Sequence, residues 1–185
     1  MNSPKAGNSV HPGCIDFDMN EMESQNGSEL QTATFAAGCF WGVEESFRTL
    51  PGVLRTEVGY AGGRTEKPTY KQVCYEETGH AEVVRVEFDS SKISFEHLLA
   101  HFFEMHDPTQ VDRQGPDHGD QYRTAIFYHS PEQRAAAEVK IQALNASGRF
   151  PRPIATKLEE PVNYWPAEEY HQKYLLKRGL GSCHI

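Results

Sequence analysis

The sequence predicts an α+β fold: a two-layer sandwich of ferredoxin-like (α-β plait) type, with a mixed sheet covered by helices and irregular loops. Three observations predict it. Short strand patterns alternate with helix-period patterns from about residue 30 onward. Helices fall between some of the strands, which makes them a layer on a sheet rather than a separate bundle. The chain of 185 residues suits one domain with a tail. Residues 1–29 are rich in Asn, Ser, Gly, Glu and Asp, with Val10, Ile15 and Phe17 scattered aperiodically, and read as a disordered tail. Residues 30–176 form the expected domain. Residues 177–185 are a flexible, glycine-bearing exit.

The elements follow in order. Gln31–Ala37 reads as a strand. Phe40, Val43, Phe47 and Leu50 recur as one helix face. Pro51-Gly52 stops that helix, and Val53–Tyr60 is the next strand. Ala61-Gly62-Gly63 is a turn, and Pro68–Cys74 a short helix. Ala81–Phe88 is a strand. Ser94 suits an N-cap for a helix with Phe95, Leu98, Leu99, Phe102 and His106 on one face, ending before Pro108. Residues 107–121 are a polar loop, long enough to suggest a functional role. Tyr122–His129 is a strand. Ser130-Pro131-Glu132-Gln133 carries a capping box with proline at the first helical position, for a helix to about Ser147. Ile154–Glu159 is a last strand and Pro166–Leu175 a last helix.

Composition excludes several classes. The net charge of −8 argues against a nucleic-acid partner. No apolar run reaches the roughly 18 residues of a membrane helix, and the first residues lack the apolar core of a secretory signal. The four cysteines, Cys14, Cys39, Cys74 and Cys183, have no metal-knuckle spacing. The histidines form no H-E-x-x-H motif, so no metal site is expected. A cytoplasmic location with reduced thiols is the simplest reading, in which any disulfide is transient and catalytic.

Gly38-Cys39-Phe40-Trp41-Gly42 carries the most chemistry. Cys39 lies where a strand turns into a helix, near the free N–H groups and the positive dipole end, both of which favour thiolate. Phe40 and Trp41 supply an apolar wall. By position alone, a buried apolar cysteine is an equal reading. In His80–Phe88, Glu82 shares a strand face with Val84, Val86 and Phe88. Desolvation there favours the protonated acid that general acid catalysis needs, unless the side chain turns out to water. Tyr70 and Tyr122 are uncharged donors or ordinary core-edge phenols. Asp117 reads alone as a solvated loop acid. His171 suits a substrate contact or a structural role equally. Cys183 sits on a tether where a buried structural cysteine would be out of place. Cys74 reads as core-facing.

GCFWGVEE, the PTY segment, TGHAEVV at 78–84, D-H-G-x-Q-Y-R from Asp117 and the WPAEEYHQKY block resemble the motifs of the A-class peptide methionine sulfoxide reductases, in the same order over residues 31–185. This resemblance implies an oxidoreductase of the S epimer of methionine sulfoxide in proteins, in peptides and as free amino acid. It implies that Cys39 attacks sulfur, that Glu82 protonates the oxygen, and that Tyr70 and Tyr122 bind that oxygen. Phe40 and Trp41 would take the methyl group, while Asp117 and His171 would contact the substrate main chain. Cys39 sulfenic acid would then condense with Cys183. Thioredoxin, or dithiothreitol in its place, would reduce the disulfide, with no bound cofactor. A monomer is expected. The rival readings are another thiol enzyme, a peroxidase or hydrolase, or a non-enzymatic module that binds methionine side chains.

Overall fold

The computed structural model describes residues 29–180. The expected tail, apart from Glu29, lies outside the described residues, as do Cys14 and Cys183. Strand β1 (Leu30–Ala37) leads into helix α1 (Phe40–Arg48), then β2 (Val53–Ala61), the short helix α2 (Tyr70–Tyr75), β3 (Ala81–Asp89) and α3 (Phe95–Met105). A small hairpin of β4 (Arg113–Gln114) and β5 (Asp117–His118) precedes β6 (Thr124–Phe127). Helix α4 (Pro131–Ala146), β7 (Lys157–Glu159), β8 (Trp165–Pro166) and the single turn α5 (Tyr174–Lys177) complete the chain.

The main sheet has the order β7-β6-β1-β3-β2-β8. Its four central strands pair antiparallel with one another, and the β1-α1-β2-β3-α3-β6 path through them is the expected α-β plait. β7 adds in parallel beside β6, which makes the sheet mixed. Alternation explains which face is covered. Ala33, Phe35 and Ala37 of β1 and Val84, Val86 and Phe88 of β3 meet Phe40, Val43 and Phe47 of α1 and Leu98, Leu99 and Phe102 of α3 in one core. Phe35 is fully buried and stacks on Phe47 at 4.8 Å; removing such a ring costs about 3–5 kcal/mol. The opposite face carries Ala36, Ala61, Ala81 and Val83, small side chains that let Tyr164 lie close over the sheet.

The expected elements hold with five corrections. Residues 107–121 are not structureless, because they fold back as β4 and β5. Tyr122 belongs to a 3₁₀ turn over Asp120–Tyr122, and the strand starts only at Thr124. The reason is Arg123, whose guanidinium bonds the carbonyls of Asp120 and Gly79 and so holds the turn against the loop before β3. The strand expected from Ile154 shortens to β7. The helix expected over Pro166–Leu175 is reduced to the single turn α5 at its end. Trp165 and Pro166 instead pair with Tyr60 and Gly59 as an edge strand, where a proline is tolerated. Gln172 then replaces a backbone partner: its amide accepts from Val58 N–H and donates to Val58 and Ala167 carbonyls. Lys173 adopts a left-handed conformation at φ 51° and ends any continuous helix. His106, expected on the α3 face, is the C-cap instead and is buried with extended backbone.

Candidate active site

Cys39 is the N-cap of α1, directly after Gly38, whose φ of 93° makes the sharp strand-to-helix turn that a side chain would strain. The next N–H, from Phe40, donates to Glu82 Oε2 at 3.0 Å. One bond therefore joins the start of α1 to the start of β3. Glu82 is 1% exposed, on the covered face as its strand alternation requires. Desolvation raises its carboxyl to about 8, against the Phe40 N–H that lowers it, and the Asp117 charge adds to the rise. Near neutral pH it holds a proton.

The thiol corrects the sequence expectation. Burial first, then the Glu82 and Asp117 charges, push Cys39 up to about 12, and the N–H groups of Trp41 and Gly42 lower it only in part. The helix N-terminus acts as expected but is outweighed. Cys39 rests as a thiol.

The two tyrosines reach the same place. Tyr70 is the first residue of α2, and its phenol is raised by burial, by a hydrogen bond with Cys74 and by the Glu82 charge. Tyr122 is likewise raised by burial and by the charges of Glu82, Cys74, Asp117 and Cys39. Both stay protonated donors. Cys74, expected in the core, is half-buried at the rim and tied to Tyr70. Its helix is only six residues long, and Val73 is its buried member.

The aromatic wall is deeper than the sequence suggested. Phe40 is buried, with Tyr60, Tyr70 and His171 around it at ring distances of 5.9, 6.5 and 5.2 Å. Trp41 is half-buried and stacks on Tyr174 at 3.7 Å and 6°. His171 is 1% exposed, so it lies beneath the wall rather than at a substrate backbone. Its Nδ1 accepts the Trp41 indole N–H at 2.9 Å, which puts its proton on Nε2, and Nε2 has no partner among the described residues. Burial lowers its pKa and keeps it neutral.

Three residues that sequence reasoning passed over brace this site. Glu44 is buried and takes the Thr56 hydroxyl at 3.0 Å and the Lys173 N–H at 2.7 Å, joining α1 to the C-terminal segment. Its helical spacing from Phe40 and Phe47 was a readable sign that it faces inward. Glu168 bonds Tyr60 and Tyr70, and Tyr60 faces Glu82 across the β2–β3 ladder. Nothing in their local sequence marks those two.

A thiol at a helix start, a protonated carboxyl and two phenols around one aromatic wall form a site for reducing a polarised S–O group. The chain belongs to the peptide methionine sulfoxide reductase family, whose model matches residues 31–185. Within that family it is 59% identical over 156 residues to the peptide methionine sulfoxide reductase MsrA of Acidobacterium capsulatum, covering 84% of this chain and all of that one (100%). Its fold matches Mxr1 of Saccharomyces cerevisiae in reduced form with a TM-score of 0.75 and 36% identity, over 86% of this chain and 91% of that one. Mxr1 in complex with Trx2 matches with a TM-score of 0.54 and 25% identity, over 83% and 91%. The chain is thus an oxidoreductase that reduces peptide methionine sulfoxide. No helix among the described residues is long and apolar enough to cross a membrane.

Proposed function

We propose that this enzyme reduces the S epimer of methionine sulfoxide, in proteins, in peptides and as the free amino acid. Cys39 sulfur attacks the sulfoxide sulfur while Glu82 gives its proton to the oxygen, with Tyr70 and Tyr122 donating hydrogen bonds to it. Phe40 and Trp41 hold the S-methyl group, and Asp117 the substrate main chain. Methionine leaves, the oxygen ends on Cys39 as a sulfenic acid, and the thiol proton balances the step. Cys183 then attacks that sulfenic acid, expelling water and forming a disulfide. A dithiol protein of the thioredoxin kind reduces the disulfide and is itself oxidised. The Trx2 complex of Mxr1 supports that partner. The cycle suits a monomer in a reducing compartment such as the cytoplasm.

The single observation that carries this reading is the Phe40 N–H to Glu82 bond, which holds a buried proton donor beside the thiol. The test uses a peptide bearing one sulfoxide epimer. Wild type with dithiothreitol should yield methionine from the S epimer only. Cys39→Ser should yield none, because a hydroxyl without an adjacent base is too weak a nucleophile. Cys183→Ser should form about one methionine per enzyme and then stall with thioredoxin. Methionine from the R epimer, or full thioredoxin-linked turnover by Cys183→Ser, would overturn the assignment.

A further inference from the structure

The first turn of α2 has an unusual cap. Thr69 and Gln72 close a local capping box, with Gln72 N–H on Thr69 Oγ1 at 3.3 Å and Thr69 N–H on Gln72 Oε1 at 3.1 Å. The box leaves the Tyr70 N–H without a local acceptor. Glu168 Oε1, from 98 residues further along the chain, takes it at 2.9 Å. The other oxygen, Oε2, accepts the Tyr60 hydroxyl at 2.8 Å. Tyr60 is fully buried, faces Glu82 across the ladder and packs on Phe40. One carboxylate thus joins the two structural supports of the site, β2 and α2. Burial raises the Glu168 carboxyl, but the Tyr70 N–H, its own backbone, the Tyr60 hydroxyl and the nearby His171 together bring it below the usual range. It is charged near neutral pH and accepts on both oxygens.

We propose that Glu168 is a positioning residue for the reductase step: it fixes the first turn of α2, and through it the Tyr70 hydroxyl, where the sulfoxide oxygen is reduced. This rests on the oxygen-binding role of Tyr70. Without Glu168, the Tyr60 hydroxyl and the Tyr70 N–H both lose their acceptor. Helix α2 is only six residues long, and its capping box is local to it, so Glu168 is what ties its first turn to β2. A displacement near 1 Å of a group aimed at reacting atoms costs about 10²-fold.

The test is a double-mutant cycle read by single-turnover methionine formation, with fold followed by thermal melting. Glu168→Ala should slow the step by about 10–100-fold. Glu168→Gln, which keeps an oxygen for Tyr70 and an amide that can donate to the Tyr60 oxygen, should stay within about 3-fold of wild type. In a Tyr70→Phe background, Glu168→Ala should add less than about 2-fold, because the hydroxyl it positions is already gone. If Glu168→Ala lost its cooperative melt, Glu168→Asp would be read in the same cycle, since a side chain one methylene shorter cannot reach both partners. An undiminished Glu168 effect in Tyr70→Phe would overturn the proposal. A Tyr70→Phe enzyme as fast as wild type would instead sink the oxygen-binding role of Tyr70.

Discussion

Glu82 and Cys39 both rest protonated, each chiefly because it is buried. The carboxyl keeps its proton because it is buried on an apolar strand face, and the thiol keeps its own first because it is buried too; above about pH 8 the ionised Glu82 adds to that. Glu82→Gln keeps the shape and a hydrogen-bond donor but has no proton to give. It should slow single-turnover reduction by about 10²–10⁴-fold. The same substitution has a second, independent readout. Between about 4.5, its ordinary value, and about 8, folded Glu82 holds a proton that the unfolded chain has released. Wild-type stability should therefore fall as pH rises through that window, by up to about 1.4 kcal/mol per pH unit from this group. Glu82→Gln lacks that slope, so its stability relative to wild type should climb from pH 4.5 to 8 and then level off. Denaturant melts across that range measure it, and parallel wild-type and variant curves would show that Glu82 is not held protonated.

At the scale of elements, the site is a junction between α1 and a C-terminal segment held in place by side chains. Glu44 anchors Lys173, Gln172 completes the backbone bonding of β2, and Tyr174 and His171 then hold the Trp41 ring by stacking and by a hydrogen bond. Glu44→Ala strands the Thr56 hydroxyl and the Lys173 N–H. It should cost about 2–4 kcal/mol of stability, from two lost charge-assisted bonds and two unpaired groups. Trp41 should also loosen from Tyr174, visible as an altered indole fluorescence. A loss under about 0.5 kcal/mol, within the range of ordinary surface substitutions, would mean that water replaces Glu44 without cost. Helical spacing made the inward position of Glu44 legible. Its partners were not, because they lie more than a hundred residues away or on another strand.

For the molecule as a whole, a buried polar chain ties α3 to β6 and the segment before β7. His106 Nδ1–H donates to the Phe102 carbonyl at 2.7 Å, and its Nε2 accepts from the Thr124 hydroxyl at 2.9 Å. Thr124 in turn bonds Thr156 at 2.8 Å. Burial lowers His106 to about 4, against the Phe102 carbonyl and Asp107, which raise it. From pH 6.5 down to about 4 the unfolded chain takes up a proton that folded His106 refuses. Stability should therefore fall with acid across that window, by up to about 1.4 kcal/mol per pH unit. His106→Gln should be less stable than wild type at pH 7, since it cannot keep both bonds in the same geometry, and its curve should be flatter toward pH 4. Equal slopes for the two proteins would rule His106 out as the source. His80, also neutral and buried between Gly63 N–H and the Thr65 carbonyl, contributes alike to both.

The sequence by itself determined what local chemistry and periodicity can decide. The β1–α1 turn with Cys39, the strand face Glu82 shares with Val84, Val86 and Phe88, and the caps of α3 and α4 follow from neighbouring residues, since strand alternation, helix period and cap hydrogen bonds all act within a few positions. The motifs that mark the family are likewise contiguous strings. Only the tertiary structure decided the rest. It replaced the expected last helix with an edge strand and turns, because β2 offered backbone groups that Trp165, Pro166 and Gln172 satisfy better than a helix does. It put His171 under Trp41 and Cys74 at the rim. It also reversed the balance at Cys39, because desolvation and the Glu82 charge depend on what the whole chain packs around the sulfur. The helix N-terminus is local and visible in the sequence, while the dielectric around it exists only once the fold has closed.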